Sequence, residues 1–216
     1  MSEFLSPGQY VDSDPSCCRF FFERKYKRAP PSATALSRST TQYATAFATT
    51  PSSTSPSLAA FTASAVLAAG EGFCIGKAAL LAACSRAAGI PARVGFADVK
   101  NHLTSPRLAE TMGSDLFVYH GYTEFLLDGK WVKATPAFNL ELCRRFRVKP
   151  LEFDGATDSI FHPFDQDERR HMEYLRDRGS YADVPVEAIQ QAFREAYPRF
   201  YKLGKDAAKE TFAPGT

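Results

Sequence analysis

From Cys74 to Ala88 the chain reads CIGKAALLAACSRAA, an Ala- and Leu-rich run that presents apolar residues on every side when wound into a helix. Ala and Leu favour helix, and Gly89-Ile90-Pro91 stops the run. A helix that is apolar all round must be surrounded, so the rest of the fold has to be built about this one. Downstream the pattern changes. Ala92 to Val99 (ARVGFADV) predicts a strand and Asn101 to Gly113 a polar loop. Tyr119 to Leu127 and Lys130 to Thr135 flank Asp128-Gly129, the commonest dipeptide of a two-residue hairpin turn. Beyond Pro136, FNLELCRRF predicts a short helix, and VPVEAIQQAFREAY an amphipathic helix with Pro185 in its first turn. Helix, strand, hairpin and helices in this order predict an α+β layout.

Upstream the composition is different. No acidic residue lies between Glu23 and Glu71, and 14 of the 26 positions from Ser32 to Ser57 are Ser or Thr. Such a stretch buries too little apolar surface to offset its ordering entropy, which predicts a disordered linker. Transit peptides are likewise basic, Ser-rich and poor in acids, but Glu3, Asp12 and Asp14 precede this run and argue against targeting. The expected organisation is an irregular, low-complexity segment over 1–64, one α+β domain over 65–200 and a flexible tail over 201–216.

Charge and cysteine usage exclude several partners. Twenty-six Lys and Arg against 24 Asp and Glu leave a net charge of +2, too balanced to predict a nucleic-acid partner. The longest nearly apolar stretch, Leu58 to Gly70, is interrupted by Thr62 and Ser64 and is shorter than the roughly 20 residues of a membrane helix, so no membrane partner is expected. Five cysteines, Cys17, Cys18, Cys74, Cys84 and Cys143, have no regular spacing. That predicts a reducing, cytoplasmic compartment rather than a disulfide framework, and without a CxxC pair no thiolate zinc site. His162 and His171 match no ligand motif, and HPFDQDERRH predicts a solvated charged turn and helix rather than a metal site. Asp154, Asp158 and Asp165 fall in turn-like surroundings and offer no acid/base pair. No cofactor is expected.

Two residues carry candidate chemistry. A thiol at a helix N-terminus feels the partial positive charge of unpaired N–H groups, which favours thiolate, the nucleophilic form. Cys74 has that position, with Gly72 and Gly76 leaving it approachable. A lone cysteine is more often a small buried hydrophobe, which is the reading for Cys84 in the middle of the helix. His120 begins HGYTEFLL, where alternation puts His120, Tyr122 and Glu124 on one face and Gly121, Thr123 and Phe125 on the other. An imidazole there can take the thiol proton and return it to a leaving amine. Tyr122 and Trp131 are candidates to line a substrate groove, against the plainer reading of core packing. Arg93 is a candidate anchor for a carboxylate. His102, in the polar loop, reads as solvated.

In combination, GFCIGKAALLAACSRAAGIPARV followed by YHGYTEFLLDGKWVKATPAFN resembles the transglutaminase-like (papain-like cysteine) superfamily in its bacterial form. The resemblance covers roughly Ala65 to Asn139 and implies a core in which the helix opened by Cys packs on an antiparallel sheet. It implies that Cys74 is the nucleophile and His120 the general base. Its third member is usually Asp before Pro on the second hairpin strand, where this chain has Thr135 in VKATPAF. A hydroxyl can hydrogen-bond the imidazole but carries no charge to stabilise imidazolium. Thr135 is the expected orienting residue, with Asn139 the alternative. The implied chemistry is acyl transfer on a peptide or protein amide, ending as hydrolysis or transamidation. The competing expectation is an inactive scaffold that binds a peptide or protein partner in the same cleft.

The resemblance also exposes a misfit. Relatives carry helical sequence of the kind AVALYxxVRDGIRYDP ahead of the nucleophile, whereas Leu36 to Pro51 read LSRSTTQYATAFATTP. If each codon is regrouped as the third base of the preceding codon plus its own first two bases, Leu36 to Pro51 can read AVALYNTVRDGIRYDP within the genetic code. Part of 17–58 is therefore expected to be translated out of frame, the family frame resuming before Ala65. Any other product from those codons, shifted by one base, refutes this. The alternative is a disordered insertion.

Overall fold

The computed structural model describes residues 2–12, 48–49, 57–104, 109–110, 112–138, 140–161 and 163–198. Leu36 to Thr50, apart from the backbone of 48–49, and the tail beyond 198 lie outside them, so the reading-frame and tail expectations fall on residues not described.

The apolar run is a helix, α3 (Cys74–Ala87), and 12 of its 14 residues are buried. It is preceded by β1 (Ala48–Thr49), α1 (Leu58–Phe61), α2 (Ala63–Ala69) and β2 (Glu71–Gly72), with β1 and β2 paired in parallel. Strands β3 (Ala92–Asn101), β4 (Leu116–Leu127), β5 (Lys130–Ala134) and β6 (Met172–Tyr181) form an antiparallel sheet in the order β5-β4-β3-β6. Two further helices are α4 (Leu140–Phe146) and α5 (Val186–Ala196). The hairpin turn is as expected: Asp128 and Gly129 both have positive φ (49° and 79°), which matches the twist of the flanking strands.

Helix α3 covers one face of the sheet. Thr123 donates its hydroxyl to the Ala78 carbonyl at 2.9 Å, and Gly121 faces Ile75, so the Gly121, Thr123 and Phe125 face of β4 is the helix side. His120 and Tyr122 lie on the opposite face, where Ala97, Val99, Tyr122, Ala137, Phe161 and Met172 form a second cluster. The chain after β5 folds over that cluster.

Two regions differ from expectation. Residues 163–171 of HPFDQDERRH do not lead into a helix: they form a turn that feeds β6, a ten-residue edge strand. Its polar side chains face outward from an edge, a pattern that reads as a solvated charged segment unless the partner strand β3 is known. The ordered unit also reaches across the boundary at 64/65. Helix α2 spans it, and residues 2–12 are part of the core, with Tyr10 and Val11 buried. The Asp183 carboxylate accepts the N–H groups of Gln9, Tyr10 and Val11, and buried Arg86 donates to the carbonyls of Ser6, Ala92 and Ala182. The three turn aspartates cap loops: Asp154 accepts the N–H of Ala156 and Thr157, Asp158 that of Lys133, and Asp165 those of Asp167 and Arg169.

Candidate active site

Cys74 is the first residue of α3, and Phe73 before it is extended and makes no side-chain cap, so no capping side chain takes the first-turn N–H groups. The helix end is seated on β4 at Gly121, where a Cβ would lie 2.9 Å from Ile75 Cα and 3.2 Å from the Cys74 carbonyl oxygen. Only a residue without a side chain permits this approach. The Gly121 N–H also acts as a donor to the Cys74 sulfur, which sets the sulfur beside the residue that follows His120.

Burial pushes the Cys74 thiol up from 9.0 to about 11, against the lowering pull of the Gly121, Ile75 and Cys74 N–H groups and of Lys77. The helix-terminus effect expected from the sequence is present, but desolvation outweighs it. His120 is 5% exposed, its ring edge-on to Phe161 at 5.2 Å between centroids, and burial pulls the imidazole down from 6.5 to about 4. Thiol and imidazole are therefore both neutral at rest.

The structure does not link Thr135 to this imidazole. His120 Nδ1 is buried with no hydrogen-bond partner among the described residues, and the buried Thr135 side chain lies toward Tyr174. Asn139 lies outside the described residues. Among the described residues no carboxylate acts on His120, and desolvation is the cause of its shift.

Tyr122 is buried over Gly95, with Lys133 Nζ 4.9 Å from its ring centroid. It borders a cavity of about 250 Å³ on the His120 face, lined also by Ala97, Lys133, Tyr174 and Asp177. Trp131 stands elsewhere. It pairs with Leu126, six residues along β4 from His120, and packs under the Arg93 guanidinium at 4.1 Å with Phe4 edge-on. Arg93 does anchor a carboxylate, Glu124, at 2.5 Å, and Ser180 donates to the same group. Cys84 is fully buried core, and His102 pairs with Glu173 at the surface. His171 packs against Phe138 and Phe161, and His162 lies outside the described residues.

Two features of the site escaped the sequence reading. Lys77, one turn after Cys74, has no exposed surface and donates to the Ala137 carbonyl at 3.3 Å. Its signal was available, since it is the lone charged residue in the first three turns of the helix. Asp98 bonds Arg178 through three contacts and accepts the Tyr119 N–H at 3.1 Å, holding Tyr119 at φ 54° just before His120. Its signal was an acid inside an apolar strand.

Comparison with known proteins adds three findings. A family model described as the transglutaminase-like superfamily matches residues 22–136, more than half of the chain and inclusive of Cys74, His120 and Thr135. No curated protein matches. A solved structure from Cytophaga hutchinsonii, described as a "Putative Cysteine Protease", aligns with a TM-score of 0.48 at 17% identity over 83% of this chain and 46% of that one, so the present chain spans less than half of its length. With a Cys-initiated helix seated on an antiparallel sheet beside a strand histidine, and with that family match, the chain belongs to the transglutaminase-like superfamily of papain-like α+β fold.

Proposed function

We propose that the protein performs cysteine-dependent acyl transfer on peptide or protein amides. The observation that supports this reading is the contact of the Cys74 helix terminus with Gly121, the residue that follows His120 on β4. Cys74 Sγ attacks the amide carbonyl and its proton passes to His120. The imidazolium returns that proton to the departing amine as the C–N bond breaks, leaving a thioester on Cys74. Water or a second amine, deprotonated by His120, then attacks the thioester, and the thiolate leaves. The N–H groups at the α3 terminus support the tetrahedral oxyanion. Tyr122 lines the substrate side on this reading, through the cavity it borders; Trp131, anchored under Arg93, serves the hairpin. Either Thr135 or Asn139 would orient His120 once substrate is bound.

The test is labelling by a thiol-directed acyl probe, read by peptide mass. Cys74 is expected to take the acyl group in preference to Cys84 and Cys143, and His120→Ala to reduce that labelling at least a hundredfold. Equal labelling of Cys84 or Cys143, or labelling of Cys74 that survives His120→Ala, overturns the dyad.

A second reading, an inactive scaffold that holds a peptide in the cleft, is favoured by His120 Nδ1 having no hydrogen-bond partner among the described residues. Peptide retained with no Cys74 acylation at any pH would establish that reading instead.

A further inference from the structure

Lys77 occupies a place that burial alone makes costly. Its side chain has no exposed surface, and its stem passes Gly72, whose Cβ, if present, would lie 3.6 Å from Lys77 Cγ. Its ammonium reaches the carbonyl of Ala137. Ala137 belongs to the cluster against which Cys74 packs, and it follows Thr135 by two residues. Cys74 and Lys77 are three apart on one helix, and such pairs lie roughly 5–6 Å apart at Cβ. Both groups thus approach the same cluster, the sulfur by packing on it and the ammonium through the Ala137 carbonyl.

We propose that Lys77 is a positioning residue that supplies the cation for the Cys74 thiolate, since among the described residues no carboxylate acts on His120 to stabilise an imidazolium. The proposal deepens the acyl-transfer reading and rests on it for its purpose, but its physical content is a coupling between two groups. At rest the thiol is raised to about 11 and burial lowers the Lys77 ammonium from 10.5 to about 7, with Cys74 and then Cys143 pulling it back up. When the Cys74 proton passes to His120, a Lys77 ammonium balances the thiolate, so a buried thiol can ionise without drawing in a counterion. Among the described residues, the titratable groups that act on this pair are Cys143 on α4, through Lys77, and the Tyr197 hydroxyl beyond α5, through Cys74, the latter accepting the Val118 N–H and donating to the Leu116 carbonyl, with His120 on β4 next to Gly121 in the chain. Of the pair, Lys77 is the member that carries positive charge.

A structural lysine and a thiolate partner make different predictions. The test is iodoacetamide alkylation of Cys74 in the full chain, followed by peptide mass across pH 6–10, for wild type, Lys77→Met, Lys77→Gln and Lys77→Arg. Met matches the lysine stem without its charge, and replacing a buried charge by an apolar group of similar shape is often neutral or stabilising. Lys77→Met is therefore expected to melt no lower than wild type, yet to alkylate at Cys74 about tenfold or more slowly at pH 7, a shift of at least one pH unit in the profile. Lys77→Gln should behave alike, and Lys77→Arg should stay within a few-fold of wild type. A Lys77→Met or Lys77→Gln profile that superimposes on wild type overturns the proposal, as does Lys77→Arg slowing as much as Lys77→Met while folded. The acyl-transfer reading fails by a separate result: no Cys74 thioester in wild type, although the alkylation profile still shifts on removal of the ammonium.

Discussion

Gly121 sits where the Cys74 helix meets the His120 strand, and its missing side chain is what lets the two touch. In Gly121→Ala the new Cβ would press on Ile75 Cα and the Cys74 carbonyl, both backbone. Overpacking of this kind costs about 1–3 kcal/mol. The expected result is a lower urea midpoint together with slower Cys74 alkylation, both measurable on one preparation. His120 makes a second prediction at this scale. The unfolded imidazole takes up a proton near pH 6.5, whereas burial holds the folded ring neutral down to about pH 4. Between those values the unfolded chain binds more protons, so stability rises with pH. The His120 contribution is complete above about pH 6.5 and is lost as pH falls to 4, a change on the order of 3 kcal/mol. Urea unfolding at pH 7 and pH 4.5 should show a drop that is largely absent in His120→Leu. The types of these residues are legible from the sequence; their ionisation is not, because desolvation comes from Phe161 and other groups distant in the chain.

Strands β3, β4 and β6 share an irregularity that places His120. Pairing slips between Ala97 and Val99 on the β4 side, and at Phe96/Ala97 and Asp98/Val99 on the β6 side. Bulges re-aim side chains, and here Asp98 fastens one by accepting the N–H of Tyr119 while Arg178 of β6 closes on its carboxylate and stacks over the Tyr119 ring at 4.8 Å. Asp98→Ala leaves Arg178 without its carboxylate and Tyr119 without its restraint. Breaking such a pair costs about 2–3 kcal/mol, at the low end for buried pairs because Arg178 reaches solvent. Urea unfolding should register that loss, and acyl labelling at Cys74 should fall with it as His120 shifts; unchanged labelling at full folding would separate the bulge from the site. The α3 helix and the Asp128-Gly129 hairpin were readable from local pattern, since apolar content and turn chemistry determine them within a few residues. Strand β6 was not, because an edge strand with charged side chains looks like a surface turn until β3 lies beside it.

At the scale of the molecule, residues far apart in the chain are tied together. Residues 2–12 are tied to the loop before α5 by Asp183 and to α2 by Asp12, which accepts from Ser64. Gly8 lies directly on the Asp183 carboxylate. Removing that carboxylate in Asp183→Ala leaves several N–H groups without an acceptor, for about 2 kcal/mol. Limited proteolysis should then cut within residues 2–12 faster than in wild type, with Cys74 alkylation unaltered because α3 keeps its other supports. Among the described residues no helix is long and apolar enough to cross a membrane. By itself the sequence determined the local elements and the chemistry-bearing residue types: an apolar helix opened by Cys74, a strand carrying His120, and a hairpin ending in Thr135. Those follow from side-chain period, helix propensity and turn residues, which act over a few positions. Only the tertiary structure decided that burial raises the thiol and lowers the imidazole, that Thr135 turns toward Tyr174, and that Lys77 is buried against the cluster on which Cys74 packs. Each of these depends on what distant segments exclude water and which charges they bring near, and no local pattern carries that information.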